Sequence, residues 1–198
     1  MSDVANREAQ WSVYPGELKV LAELLWSSPG DFAVEVGCFR GRTTVFLANL
    51  CRCLGKTLIA IDPWDDTPAG SGDEIYQIFS AQIAPVRDCV TVIRSRSDDA
   101  LARLPPAAAG RCGFILIDGD HSDPQPLLDM RNYYPLLCPG GVMAVHDVFS
   151  PNWSDVGRAF EEFTVDKDTY YFRYVPGDEE QRRHRNDRLC GLGWVRRP

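Results

Sequence analysis

Short, near-continuously apolar runs alternate with helical patterns through most of the chain, and that alternation leaves few folds open. The runs are FAVEVG (32–37), TLIAID (57–62), VTVIR (90–94), GFILID (113–118) and GVMAVH (141–146). Apolar character on both faces suits strands covered on both sides. Helical patterns follow them at 42–53, 73–84, 98–104, 125–137 and 154–164, the last with Ser154 placed to cap it. Strand and helix in turn are the signature of repeated βαβ units around a parallel sheet. Two further strand-like runs, TYYFRYVP and LCGLGWVRR, flank the charged connector GDEEQRRHRNDR (177–188). Added as a hairpin-like pair to five parallel strands, they predict an α/β fold with a seven-stranded mixed sheet. It is mostly parallel, with the last strand antiparallel and helices on both sides. Upstream, PGELKVLAELLW opens with Pro15 and lines up Leu18, Leu21, Leu24 and Leu25. It reads as a helical cover, within residues 1–30, over the sheet or the site.

Length and charge narrow the function. A chain of 198 residues, 44 % hydrophobic, is expected to form one domain over 1–198. A formal net charge of −7 argues against a nonspecific nucleic-acid or anionic-membrane binder, so the expected partner is a small molecule. Seven cysteines without zinc spacing, no signal-peptide pattern and no apolar run near membrane-spanning length point to the cytoplasm. The cysteines are expected to be small buried hydrophobes. A homo-oligomer is left open. The connector 177–188, its charges nearly cancelling, reads as a solvated loop, with a substrate or subunit contact as the alternative.

The first strand ends in EVGCFRGRTT, with Gly37 at the strand exit and Gly41 at the head of a helix. Glycines there allow a ligand to approach the backbone over a helix N-terminus. Phe39 stands where a dinucleotide fingerprint needs its second glycine, so a pyrophosphate cradle is weak. Asp62 ends the next strand at the spacing of a ribose-binding carboxylate. Glu35, inside an apolar run, is costly to bury without an ammonium group or backbone amides beside it. A nucleoside ligand with an amine and no pyrophosphate satisfies all three.

FAVEVGCFRGRTT, IAIDPWDD, FILIDGDHS and YYPLLCPGGVMAVHD, in this order, resemble the motifs of class I S-adenosylmethionine (SAM)-dependent methyltransferases. The likeness is to the small-molecule O-methyltransferase branch, sugar and natural-product enzymes included, and it implies a Rossmann-like sheet. The resemblance assigns Glu35, Gly37 and Gly41, with Thr43 nearby, to the methionine part of SAM, Asp62 to the ribose and Ser97 to the adenine. Trp64 would flank the adenine or pack into core. Arg40 and Arg42 read as solvated or ion-paired.

FILIDGDHSD (114–123) drives a buried-looking strand into Asp118, Asp120, His121 and Asp123, and AVHDV puts His146 and Asp147 at the end of the following strand. Ligands of open α/β sheets bind at such carboxyl ends. Asp118 and Asp147 offer hard oxygens to Mg²⁺ or Mn²⁺, and His146 is either a further metal ligand or a hydrogen-bonding group behind one. His121 is then a candidate general base beside Asp118. Macrolide-sugar O-methyltransferases are similar in placing an aspartate three residues before a catalytic histidine. Their acidic pair on the next strand is His146-Asp147 here, and Asp123 stands where many relatives carry tyrosine. Asp120 and Asp123 are expected to shape the turn, Asp129 to be a structural partner or surface residue, and DDTPAGSGD (65–73) to act as a lid. The competing functions are a metal-independent methyltransferase, a nicotinamide-dependent oxidoreductase, a catalytically inactive SAM-binding protein, and an oxygenase with a similar D-G-D-H and HD arrangement.

Overall fold

A computed structural model describes residues 13–104, 108–173 and 191–198. Its helices are α1 (Pro15–Ser27), α2 (Arg42–Cys53), α3 (Gly72–Ile83), α4 (Ser97–Leu101), α5 (Gln125–Tyr133) and α6 (Ser154–Phe163). Its strands are β1 (Phe32–Val36), β2 (Thr57–Asp62), β3 (Val90–Arg94), β4 (Cys112–Ile117), β5 (Leu137–Val145), β6 (Thr169–Arg173) and β7 (Gly191–Arg196). They form one seven-stranded sheet in the order β3-β2-β1-β4-β5-β7-β6. The first five strands pair in parallel, and β7 runs antiparallel to both β5 and β6.

The strands alternate their side chains between two apolar layers. On β4, Phe114 and Leu116 join Leu21, Leu25, Leu47 and Phe79 beneath α1, α2 and α3. Ile115 and Ile117 join Met130, Tyr133 and Phe160 on the other face, beneath α5 and α6. A strand buried on both sides has no use for polar positions, which is why the run reads as continuously apolar. Among the described residues no helix is long and apolar enough to cross a membrane.

The chain builds outward from β1 to β3, then returns to lay β4 on the other side of β1. That reversal opens a crevice between the carboxyl ends of β1 and β4, the switch point at which such sheets bind ligands. α1 packs across α2, β4 and β5, burying Leu21, Leu24 and Leu25, with Leu18 half-buried.

Several local expectations are corrected. The helix expected over 125–137 stops at Tyr133 and tightens into a 3₁₀ turn through Leu136, because Pro135 cannot continue an α-helical ladder. β5 consequently starts earlier than its glycines suggest. α4 is shorter than 98–104, and Ala84–Cys89 forms an unanticipated 3₁₀ segment containing Pro85. Ser154 is the first residue of α6 rather than its cap; Trp153 holds that position and makes no capping bond. Of the described cysteines Cys53 is exposed, while Cys38, Cys51, Cys89, Cys112 and Cys138 are buried, and all are free. The connector 177–188 and Cys190 lie outside the described residues.

Candidate active site

The turn after β1 is held by the end of β2. Asp62 Oδ2 accepts hydrogen bonds from the Cys38 and Phe39 amides (2.8 and 2.9 Å), and its Oδ1 accepts one from the Trp64 amide at 2.7 Å. Asp62 therefore clasps the turn while its carboxylate borders the cavity described below. Gly37 has φ +88°, and a Cβ there would lie 2.1 Å from the Asp118 carbonyl oxygen. Gly41 has φ +86°, and its Cβ would lie 2.9 Å from the Phe79 ring. Backbone conformation thus favours glycine at both positions, with the neighbouring strand exit crowding Gly37 and the Phe79 ring of α3 crowding Gly41, in addition to any ligand approach. Trp64 is buried, donates from Nε1 to the Phe39 carbonyl at 2.8 Å and packs on Phe79 with ring centroids 4.5 Å apart. Arg40 donates to the Ala69 carbonyl at 3.3 Å, tying the turn to the loop before α3. That loop is pinned at its far end, where Asp66 accepts from the Gly72 amide at 2.8 Å.

Glu35 is 1 % exposed and its Oε2 has no hydrogen-bond partner. Burial pushes its carboxyl up to about 8. Thr43 borders the same cavity. At the head of α4, Ser97 donates to Asp129 Oδ1 at 2.6 Å, and Gln125 Nε2 donates to Asp129 Oδ1 at 2.8 Å and to Ser97 Oγ at 3.0 Å. Asp129 is buried, so of its two expected roles the structural partner holds, and burial pushes its carboxyl up to about 6.

Beyond Gly37 the cavity reaches the ends of β4 and β5. Their exits are aligned because the Asp118 amide donates to the Val36 carbonyl (2.8 Å) and the His146 amide to the Ile117 carbonyl (3.0 Å). Asp118, His121 and Asp147 present donor atoms that all lie within 4.8 Å of one another. His121 Nε2 stands 3.2 Å from Asp147 Oδ2 and 3.8 Å from Asp118 Oδ1. His146 Nδ1 stands 3.3 Å from a carboxylate oxygen of each aspartate, while its Nε2 lies 3.1 Å from Glu17 Oε2. Burial works against charge on both rings, yet the two aspartates carry His121 up to about 9 and His146 well above the usual range. The histidines in turn hold both aspartate carboxyls below the ordinary value despite burial. Trp153 stacks on His121, ring centroids 4.8 Å apart at 27°. Asp120 accepts the Ser122 amide at 2.9 Å, a turn-shaping bond, and the Asp123 carboxylate lies 3.5 Å from Arg158 at the surface.

Sequence reasoning did not find Glu17, Gln125 or Trp153. Glu17 sits in a run read for its leucines, three residues beyond Tyr14, whose amide donates to it at 2.9 Å. That capping-box spacing was the available signal. Nothing in the local pattern ties Trp153 to His121.

One cavity of about 750 Å³ joins these groups, bordered by Glu35, Asp62 and Ser97 at one end and by Asp118, His121 and Asp147 at the other. Fold and site together define a Rossmann-like α/β architecture, with a crevice between β1 and β4 opening onto a carboxylate-histidine cluster.

A family model described as a methyltransferase domain matches residues 34–148, and the chain belongs to that family. It is 27 % identical over 162 residues to a rhamnosyl O-methyltransferase of Mycobacterium leprae, a match covering 80 % of this chain and 66 % of that protein. The match thus spans just under two thirds of the relative's length. Among solved structures the fold is similar to the O-methyltransferase TomG of tomaymycin synthesis from Streptomyces achromogenes, in complex with SAM. That likeness has a TM-score of 0.72 at 17 % identity and covers 100 % of this chain and 92 % of that one. It is also similar to an O-methyltransferase from Bacillus cereus in complex with SAH, at TM-score 0.71 and 19 % identity, covering 98 % of this chain and 88 % of that one.

Proposed function

We propose that this chain, as one domain over residues 1–198, transfers the methyl group of SAM to a hydroxyl of a small molecule, with a sugar as the favoured acceptor class. The observation that carries this is the single cavity joining a nucleoside-type crevice to a carboxylate-histidine cluster. Family membership and the rhamnosyl O-methyltransferase relative support it. The acidic net charge supports a small acceptor over nucleic acid or an anionic membrane.

The residues present fit SAM. Glu35 Oε2 is a buried, unpartnered carboxylate oxygen of the kind an ammonium group satisfies. Gly37, Gly41 and Thr43 border the same cavity, as do Asp62, assigned to the ribose, and Ser97, assigned to the adenine. When bound, SAM supplies an electrophilic methyl group on a sulfonium, so the protein's task is to orient a hydroxyl and remove its proton.

The cluster also fits a divalent cation, Mg²⁺ or Mn²⁺. Asp118 and Asp147 supply oxygens, and the buried Nδ1 of His146, which has no hydrogen-bond partner, supplies a nitrogen. Such a cation would lower the pKa of an acceptor hydroxyl. The two aspartates favour a proton on His121, and a cation held between them would offset that pull, leaving Nε2 to take the acceptor's proton with Asp147 beside it. Trp153 fixes the ring from one side.

The close His121–Asp147 pair favours one second reading, a metal-independent transferase in which this pair alone works as base. Chelation separates the two. Loss of turnover in EDTA, restored by Mn²⁺, supports the cation, whereas unchanged turnover supports the pair alone. The parent reading is tested by mass spectrometry of ligand carried through purification and by methyl transfer from labelled SAM to glycoside acceptors. Recovery of a nicotinamide cofactor in place of SAM or SAH would overturn it.

A further inference from the structure

Glu17 completes the capping box of α1, but it lies deeper than a cap requires. It is 0 % exposed, on a helix that otherwise buries leucines, and its Oε1 has no partner. Its Oε2 accepts the Tyr14 amide at 2.9 Å and faces His146 Nε2 at 3.1 Å. A carboxylate accepts only, so Nε2 of His146 donates and carries the proton. The other ring nitrogen, Nδ1, then points between Asp118 and Asp147, 3.3 Å from an oxygen of each. His146 is 6 % exposed, and its Nδ1 makes no hydrogen bond. A buried nitrogen 3.3 Å from two carboxylate oxygens marks a place that a proton fills in the free protein and a cation can fill in its stead.

We infer that Glu17 is a positioning residue for a cation site, its carboxylate holding His146 so that Nδ1 is presented as a ligand beside Asp118 and Asp147. A histidine ligand whose remote N–H is fixed by a carboxylate is a recurrent device for setting tautomer and ring orientation. Here the carboxylate comes from the N-terminal helix, far from the other members in sequence. Docking of α1 onto α2, β4 and β5 is therefore part of assembling the cation site as well as covering the sheet. The inference rests on the proposal that the cluster binds a divalent cation, and it goes further in assigning His146 and α1 their parts.

Mn²⁺ titrated into the metal-free full chain and followed by electron paramagnetic resonance provides the test, with nitrogen NMR of the His146 ring as a second readout. Wild type is expected to bind Mn²⁺ and to show a protonated Nε2. Glu17→Ala should weaken Mn²⁺ binding about 10- to 100-fold and lose that signature. Glu17→Gln retains a neutral acceptor oxygen, so it should weaken binding by a smaller but measurable factor, and it carries the test if the alanine variant does not fold. Glu23→Ala, an exposed change on the same helix, should bind as wild type does. Wild-type affinity in either Glu17 variant overturns the inference and leaves the cation proposal standing. Absence of Mn²⁺ binding in wild type overturns both.

Discussion

Buried carboxylates set the chemistry at the scale of single residues. Glu35 has an ordinary value of 4.5 that burial pushes up to about 8, so the folded protein keeps a proton that the unfolded chain gives up. The resulting stability is present below 4.5 and is lost as pH rises through about 8. Glu35→Gln should therefore flatten the pH dependence of the urea midpoint across that window. An ammonium-bearing ligand would favour the carboxylate, so binding SAH at pH 7 should release about one proton. Calorimetry in buffers of different ionisation enthalpy reads that release, and a buffer-independent heat would remove Glu35 from the amine subsite. His121→Ala should lower methyl transfer about 100-fold or more while leaving SAH affinity unchanged, because the ring lies at the acceptor end. Unchanged turnover would remove His121 as base. The convergence of Asp118, His121, His146 and Asp147 was legible because each stands just past an apolar run. Glu17 and Trp153 were hidden: each reaches the cluster from a separate helix or turn, and neighbouring residues do not report such contacts.

Among elements, the strands were the readable part. Continuous burial on two faces writes itself into consecutive apolar residues, and β1, β2 and β4 fall where those runs lie, while β3 matches its run with some residues exposed and β5 begins ahead of its own at Leu137. Helix ends were less legible because single prolines decide them. Pro135 stops α5 early, and Pro85 accompanies the 3₁₀ segment after α3. Glycines in the first turn carried two messages at once, ligand access and close strand packing, which sequence cannot separate. Gly37→Ala tests the packing part. A Cβ 2.1 Å from the Asp118 carbonyl, at φ +88°, should destabilise the fold by about 3 kcal/mol or more in urea unfolding. A loss below about 1 kcal/mol would mean that β1 and β4 can separate there without cost.

Over the whole molecule, strand order places the site. Because β4 returns beside β1, the end of β1 holding Glu35, with Gly37 just beyond it, meets the exit holding Asp118 and His121, and one cavity serves both. The alternating pattern foretold the class of sheet, but not that α1 would send a carboxylate to the far end of β5. The central claim is that the crevice between β1 and β4 is a SAM site. Isothermal titration of the full chain with SAH and, separately, with NADH tests it most directly. The account predicts one SAH bound per chain, weakened by Glu35→Gln, and no NADH binding; NADH binding with none for SAH would contradict it.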